Sequence, residues 1–128
     1  MPQNNTVAIY CDHNYNKLIN YCNEKYENII LLYDNLSSKG EYDLPRFHYT
    51  EVNNLGYDIV IDNLSLYERL KDKNNRIIYY MSNSPNHNIS YKQLSSFIQN
   101  IDEVIIPSNI STEFMNIVFN YTKELSYV

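Results

Sequence analysis

Four polar clusters in this sequence carry residue types that can do chemistry, and each follows a short apolar run. Asp12 and His13 come after Thr6-Val7-Ala8-Ile9-Tyr10, and Asn63 follows Asp62 at the end of Asp58-Ile59-Val60-Ile61. Ser82 and Asn83 come after Arg76 to Met81, and Ser108 with Asn109 after Glu103 to Pro107. An imidazole with an ordinary pKa of about 6.5 can accept a hydroxyl proton near neutral pH, which makes His13, beside Asp12, the candidate catalytic base. Asp62, Asn63, Ser82, Asn83 and Ser108 supply the donors and acceptors that fix a hydroxyl-rich ligand. Asp, Asn and Ser are also the residues that cap helices. Capping is the plainer reading at each position taken alone.

The elements between these clusters must bring them together. Thr6–Tyr10, Asn28–Tyr33, Asp58–Asp62, Arg76–Met81 and Glu103–Ile106 are short apolar runs that fit strands buried on both faces. Arg46 to Val52 alternates, with Phe47 and Tyr49 on one side and His48 and Thr50 on the other, which predicts an edge strand. Between the runs, apolar residues recur at helical spacing: Leu18, Ile19, Cys22 and Tyr26; Leu94, Phe97, Ile98 and Ile101; Phe114, Ile117, Val118 and Tyr121. Ser65 with Glu68, and Ser90 with Gln93, have capping-box spacing, and Asp12 or Asn14 can cap the first helix. Leu125 to Val128 is the start of one more strand or a free end. Strands alternating with amphipathic helices predict an α/β fold: a doubly wound, mostly parallel, Rossmann-like sheet in the order 3-2-1-4-5-6, with helices on both faces. In such a sheet ligands sit at the carboxyl ends of the strands where the order reverses, here between the first and fourth. That is where the four clusters would meet.

Composition narrows the partners. The 128 residues suit one domain, and the net charge of −5, with no basic stripe, argues against nucleic acid or an anionic membrane. No apolar run reaches the ~20 residues of a membrane span. The polar start, Met1 to Asn5, is unlike a secretory signal, so a cytoplasmic protein is expected. Abundant Asn, Tyr and Ile, with a single alanine, are explained by AT-rich coding. Six Asn-x-Ser/Thr triplets read as helix-start chemistry rather than glycan sites.

Several sites are argued against. No glycine lies between Tyr10 and Asn16, so the first turn lacks the close backbone approach a dinucleotide needs, and there is no P-loop. No NAD, FAD or ATP cofactor is expected by these routes. Cys11 and His13 are near Cys22 in sequence, but a helix from Asn14 would carry Cys22 about 12 Å along its axis, too far for a shared metal. Cys22 is read as core, His48 as a surface or satisfied residue, and the 14 tyrosines mainly as packing groups.

Asp58-Ile59-Val60, the apolar run Arg76 to Met81, and Asp102-Glu103-Val104-Ile105-Ile106-Pro107-Ser108 leading to Glu113 together resemble the N-terminal half of GT-B-type glycosyltransferases. The resemblance implies an acceptor-side Rossmann-like domain that binds a sugar or nucleotide-type ligand. Such enzymes hold the nucleotide-sugar mainly on a second domain, so a second transferase subunit or a homo-oligomer is an expected partner and these residues alone should not transfer sugar. The chain departs from the family in having Cys11-Asp12-His13 where many members carry glycine, and Met81-Ser82 where many place a histidine. The competing reading is a non-catalytic, self-associating interaction module from a small AT-rich genome such as a virus.

Overall fold

A charged residue at the amino end of each of three neighbouring strands organises that edge of the sheet. A computed structural model describes residues 5–11, 16–33, 44–51, 56–62, 64–70, 75–81, 91–106 and 112–127. In chain order these form β1 (Thr6–Tyr10), α1 (Asn16–Lys25), β2 (Asn28–Tyr33), β3 (Arg46–His48), β4 (Asp58–Ile61), α2 (Leu64–Leu70), β5 (Ile77–Tyr80), α3 (Tyr91–Gln99), β6 (Glu103–Ile106), α4 (Thr112–Tyr121) and β7 (Leu125–Tyr127). The sheet runs β3-β2-β1-β4-β5-β6-β7, and every pairing is parallel. This is the doubly wound α/β order expected from the alternation of strands and helices, extended by a seventh strand at Leu125.

Both faces of the strands are buried, as their unbroken apolar runs require. Ala8, Tyr10, Ile59, Ile61, Tyr79, Val104 and Ile106 face α2, α3 and α4, which contribute Leu66, Leu70, Leu94, Phe97, Ile98 and Val118. Val7, Ile9, Val60, Ile78, Tyr80 and Ile105 face α1, which contributes Leu18, Ile19 and Cys22, with Tyr26 just beyond it. The first and second helical stripes are therefore the buried faces of α1 and α3. The stripe of α4 differs: Val118 is buried but Tyr121, the last residue of the helix, is 43 % exposed. The side chains of Phe114 and Ile117 lie outside the described residues.

Two further expectations are corrected. β3 stops at His48, and Tyr49–Glu51 form a single 3-10 turn instead of continuing the strand toward Val52. The turn lays the Tyr49 ring flat on Tyr10, with centroids 5.5 Å apart and planes 8° apart, and an extended strand would carry that ring away. Helix α2 begins at Leu64, so Ser65 lies within the first turn and its spacing to Glu68 is not a capping box. Helices α3 and α4 begin directly after Ser90 and Ser111, each the last residue of an Asn-x-Ser triplet. Ser90 itself, Asp12 and Asn14 lie outside the described residues.

The amino edge carries the network that sequence reading missed. Asp58, Arg76 and Glu103 all point to the α1 face. The Arg76 guanidinium donates to Asp58 at 3.3 Å, to Glu103 at 2.7 Å and to Glu124 at 2.6 Å. Helix α1 closes over it: the Tyr26 hydroxyl donates to Asp58 Oδ2 at 2.7 Å, and Tyr21 to Glu103 at 3.4 Å. Ser126 donates to Glu103 Oε2 at 2.7 Å. Burial alone would lower the Arg76 pKa, but hydrogen bonding and charge from Glu103, then Glu124 and Asp58, hold it above its usual value. One guanidinium thus ties the amino ends of β4, β5 and β6, and the approach to β7, to a common point.

Burial also sets the alkaline limit of stability. Burial, then the Glu103 charge, pushes the Cys22 thiol from 9.0 up to about 12. The Tyr26 phenol is pushed up by burial, then by its bond to Asp58, and Tyr79 by burial, then by Asp62. The folded chain thus holds these protons more tightly than the unfolded chain. The stabilisation is complete below the unfolded value of 9.0 for the thiol and 10.0 for the phenols, and is lost as pH rises through the folded values. Melting midpoints should be level up to about pH 9 and fall above it, with the buried phenols of Tyr26 and Tyr79 ionising only as the chain unfolds. Early, fully reversible ionisation of all tyrosines in the folded chain would contradict these burials.

Candidate functional site

The strand register draws one row across the carboxyl end of the sheet. Tyr33 of β2 pairs with His48 of β3, Tyr10 with Ile61, Ile61 with Tyr79, and Ile9 with Leu31. Moving one residue past Tyr10, Cys11 falls between Tyr33 and Asp62, and Asp62 falls beside Tyr80. The row therefore reads His48, Tyr33, Cys11, Asp62, Tyr80. It crosses the point between β1 and β4 where the strand order reverses, which is where open α/β sheets bind ligands. Parallel neighbours in register point the same way, and both Cys11 and Tyr80 lie against the α1-side core.

At the centre of the row, the Cys11 thiol is half-buried and donates to the Val60 carbonyl at 3.8 Å, bridging β1 to β4. Asp62 is 9 % exposed. Buried carboxylates of this kind are held by hydrogen bonds or by charge, and Asp62 is engaged in such contacts. Its charge reaches Tyr79, whose phenol is raised first by burial and then by that carboxylate. Tyr80 is raised by burial and then by Cys11, its neighbour across the row. Acid, thiol and the Tyr80 phenol thus share one partly dehydrated strip, with Tyr79 on the opposite face of the sheet.

Rings also line the carboxyl ends of β1 to β3. The Tyr49 ring lies on Tyr10, and His48 lies 4.8 Å from Tyr49 and edge-on to Tyr33 at 5.5 Å. Arg69 of α2 donates to the Tyr10 hydroxyl at 2.8 Å, and its guanidinium stands 5.7 Å from the centre of the Tyr49 ring. His48 Nδ1 lies 2.8 Å from Thr50 Oγ1 and accepts from the Thr50 amide at 3.4 Å. The satisfied histidine expected at position 48 is found, and it is also part of the rim. A platform of stacked rings beside a guanidinium suits a planar or ring-shaped polar ligand.

Of the candidate site residues read from sequence, Asp62 stands at the rim. Asp12, His13, Asn63, Ser82, Asn83 and Ser108 lie outside the described residues. Tyr10, Tyr33, His48, Tyr49 and Arg69 were not singled out as site residues. A signal for them was present, since β1, β2 and β3 each end on a ring: Tyr10, Tyr33 and His48.

No protein-family model, curated protein or solved structure matches this chain. The described residues line concavities elsewhere. One, of about 350 Å³, lies between α2 and α3 over Tyr67 and Phe97, flanked by Glu68 and Lys92. Another, of about 540 Å³, lies at the amino ends of β1 to β3 near Leu44, Phe47 and Tyr57. Neither lies at the strand-order reversal, and neither lining includes a buried charged group comparable to Asp62. Among the described residues no helix is long and apolar enough to cross a membrane.

Proposed function

We propose that this chain is a Rossmann-like ligand-binding unit that takes a sugar or nucleotide-type molecule at the carboxyl ends of β1, β4 and β5. The observation that carries the reading is the register row through Cys11, Asp62 and Tyr80, with the ring platform of Tyr10, Tyr49 and His48 beside it. Sugar hydroxyls need acceptors such as the Asp62 carboxylate, and flat faces of sugars or bases stack on aromatic rings. The resemblance to the acceptor-side half of GT-B glycosyltransferases supports the same ligand class. In that family a second domain holds most of the donor. These 128 residues are therefore expected to bind without transferring, and to need a second domain or subunit for turnover.

Saturation-transfer NMR against nucleotide-sugars, free nucleotides and simple glycans tests the reading. At least one class should give saturable transfer, and Asp62→Asn should weaken its binding about tenfold while shifting the melting midpoint little. A tenfold loss corresponds to about 1.4 kcal/mol, within the range of one hydrogen bond to a charged acceptor. Absence of binding across the panel, or unaided sugar transfer by the purified chain, would defeat this reading.

A second reading, self-association without catalysis, is favoured by one feature. Phe119, Tyr121 and Tyr127, exposed by 59, 43 and 59 %, all lie on α4 and β7 at one edge of the sheet. Light scattering decides it: a monomer at micromolar concentration excludes it.

A further inference from the structure

We propose that β7, with the turn at Lys123 and Glu124 before it, is a strap that docks on and leaves an otherwise intact sheet. The strand has three residues, pairs with β6 alone, and buries none of them fully, with Tyr127 59 % exposed. Its neighbour differs sharply: all four residues of β6 are buried. The backbone holds the strap through the β6 ladder, in which the Val104 amide donates to the Glu124 carbonyl at 2.9 Å. Two side-chain contacts supplement the ladder. Ser126 donates to Glu103 at 2.7 Å, and Arg76 reaches Glu124 at 2.6 Å.

The second of these contacts is the outermost branch of the amino-edge network. Glu124 has 47 % of its side chain exposed, whereas Asp58 and Glu103 are enclosed. When the strap leaves, Arg76 keeps both enclosed carboxylates, so undocking leaves no buried charge unpaired. The docked state also carries a cost at its joint. The Thr122 hydroxyl, buried where the chain leaves α4 for β7, has no hydrogen-bond partner among the described residues, and a freed joint would let water reach it. Short strands with few buried contacts open locally, at free energies well below global unfolding. Opening bares the outer edge of β6, a row of main-chain donors and acceptors of the kind an added strand pairs with.

Native-state hydrogen exchange on the whole chain, followed by NMR at several sub-denaturing urea concentrations, tests this with three amides. Val104 reports strap docking through its bond to Glu124, Met81 reports β5–β6 pairing through Ile105, and Ile59 reports β4–β5 pairing through Arg76. Val104 should exchange at least about tenfold faster than Met81 and Ile59, with little dependence on urea, as a local opening requires. Glu124→Gln with Ser126→Ala should speed Val104 about tenfold again while changing Met81 and Ile59 by no more than about twofold. The proposal is overturned if Val104 in the wild-type chain shares both the level and the urea slope of the other two amides. It is also overturned if the double substitution accelerates all three equally. Should the substituted chain not fold, the wild-type comparison decides alone.

Discussion

Replacing Arg76 with alanine should destabilise the chain by about 3–5 kcal/mol, because it strands enclosed carboxylates without their counter-charge. Asp58 has a fully buried side chain and that of Glu103 is 8 % exposed, and their pairing with one guanidinium is what makes their burial tolerable. A domain of this size has only about 5–15 kcal/mol of stability in all, so the loss should be plain in a urea melt. Arg76→Lys keeps one positive charge but not the fork that reaches three carboxylates, and should fall between wild type and Arg76→Ala. Glu124→Gln should cost far less, since its carboxylate is half in water. If Arg76→Ala costs under about 1 kcal/mol, the network behaves like a surface ion pair and does not organise the amino edge.

Phe97→Ala should cost about 3–5 kcal/mol, the range for removing a buried ring without collapse of the space it leaves. Phe97 is 5 % exposed and meets Tyr79 edge-to-face at 4.9 Å and Tyr67 at 5.5 Å. It is the ring through which α3 presses on β5, one residue before the rim position Tyr80. Loss of stability should therefore be joined by a change in the near-ultraviolet signal of the tyrosines. A mild loss with an unchanged tyrosine signal would mean that the α2–α3 groove over Phe97 is loosely packed.

Much of the fold was legible because burial on both faces leaves an unbroken apolar run. Ala8 and Ile9, or Val104 and Ile105, face opposite cores and both are buried, so the strands stand out from the amphipathic helices. The ends of elements were harder to read. Tyr49 suits an alternating strand in sequence, and only its stacking on Tyr10, 39 positions away, turns the chain at His48. The charge network escaped because each opening charge looked like a strand boundary. Asp58, Arg76 and Glu103 alternate in sign across β4, β5 and β6, and that alternation was visible once the strand order was granted. The site row depended on register, which apolar runs do not set. Asp62 was placed at the rim by the order of strands alone, whereas Tyr33 and His48 required the pairing itself.

The claim that a ligand sits at the strand-order reversal is tested most directly by mapping amide shifts in a labelled chain titrated with whichever sugar or nucleotide class gives saturation transfer. The amides of Cys11, Asp62, Tyr80 and Met81 should move together and saturate with one binding constant, while those of Arg76, Glu103 and Glu124 at the opposite edge stay still. Shifts centred on the amino edge, on the α2–α3 groove, or spread evenly over the chain would contradict it.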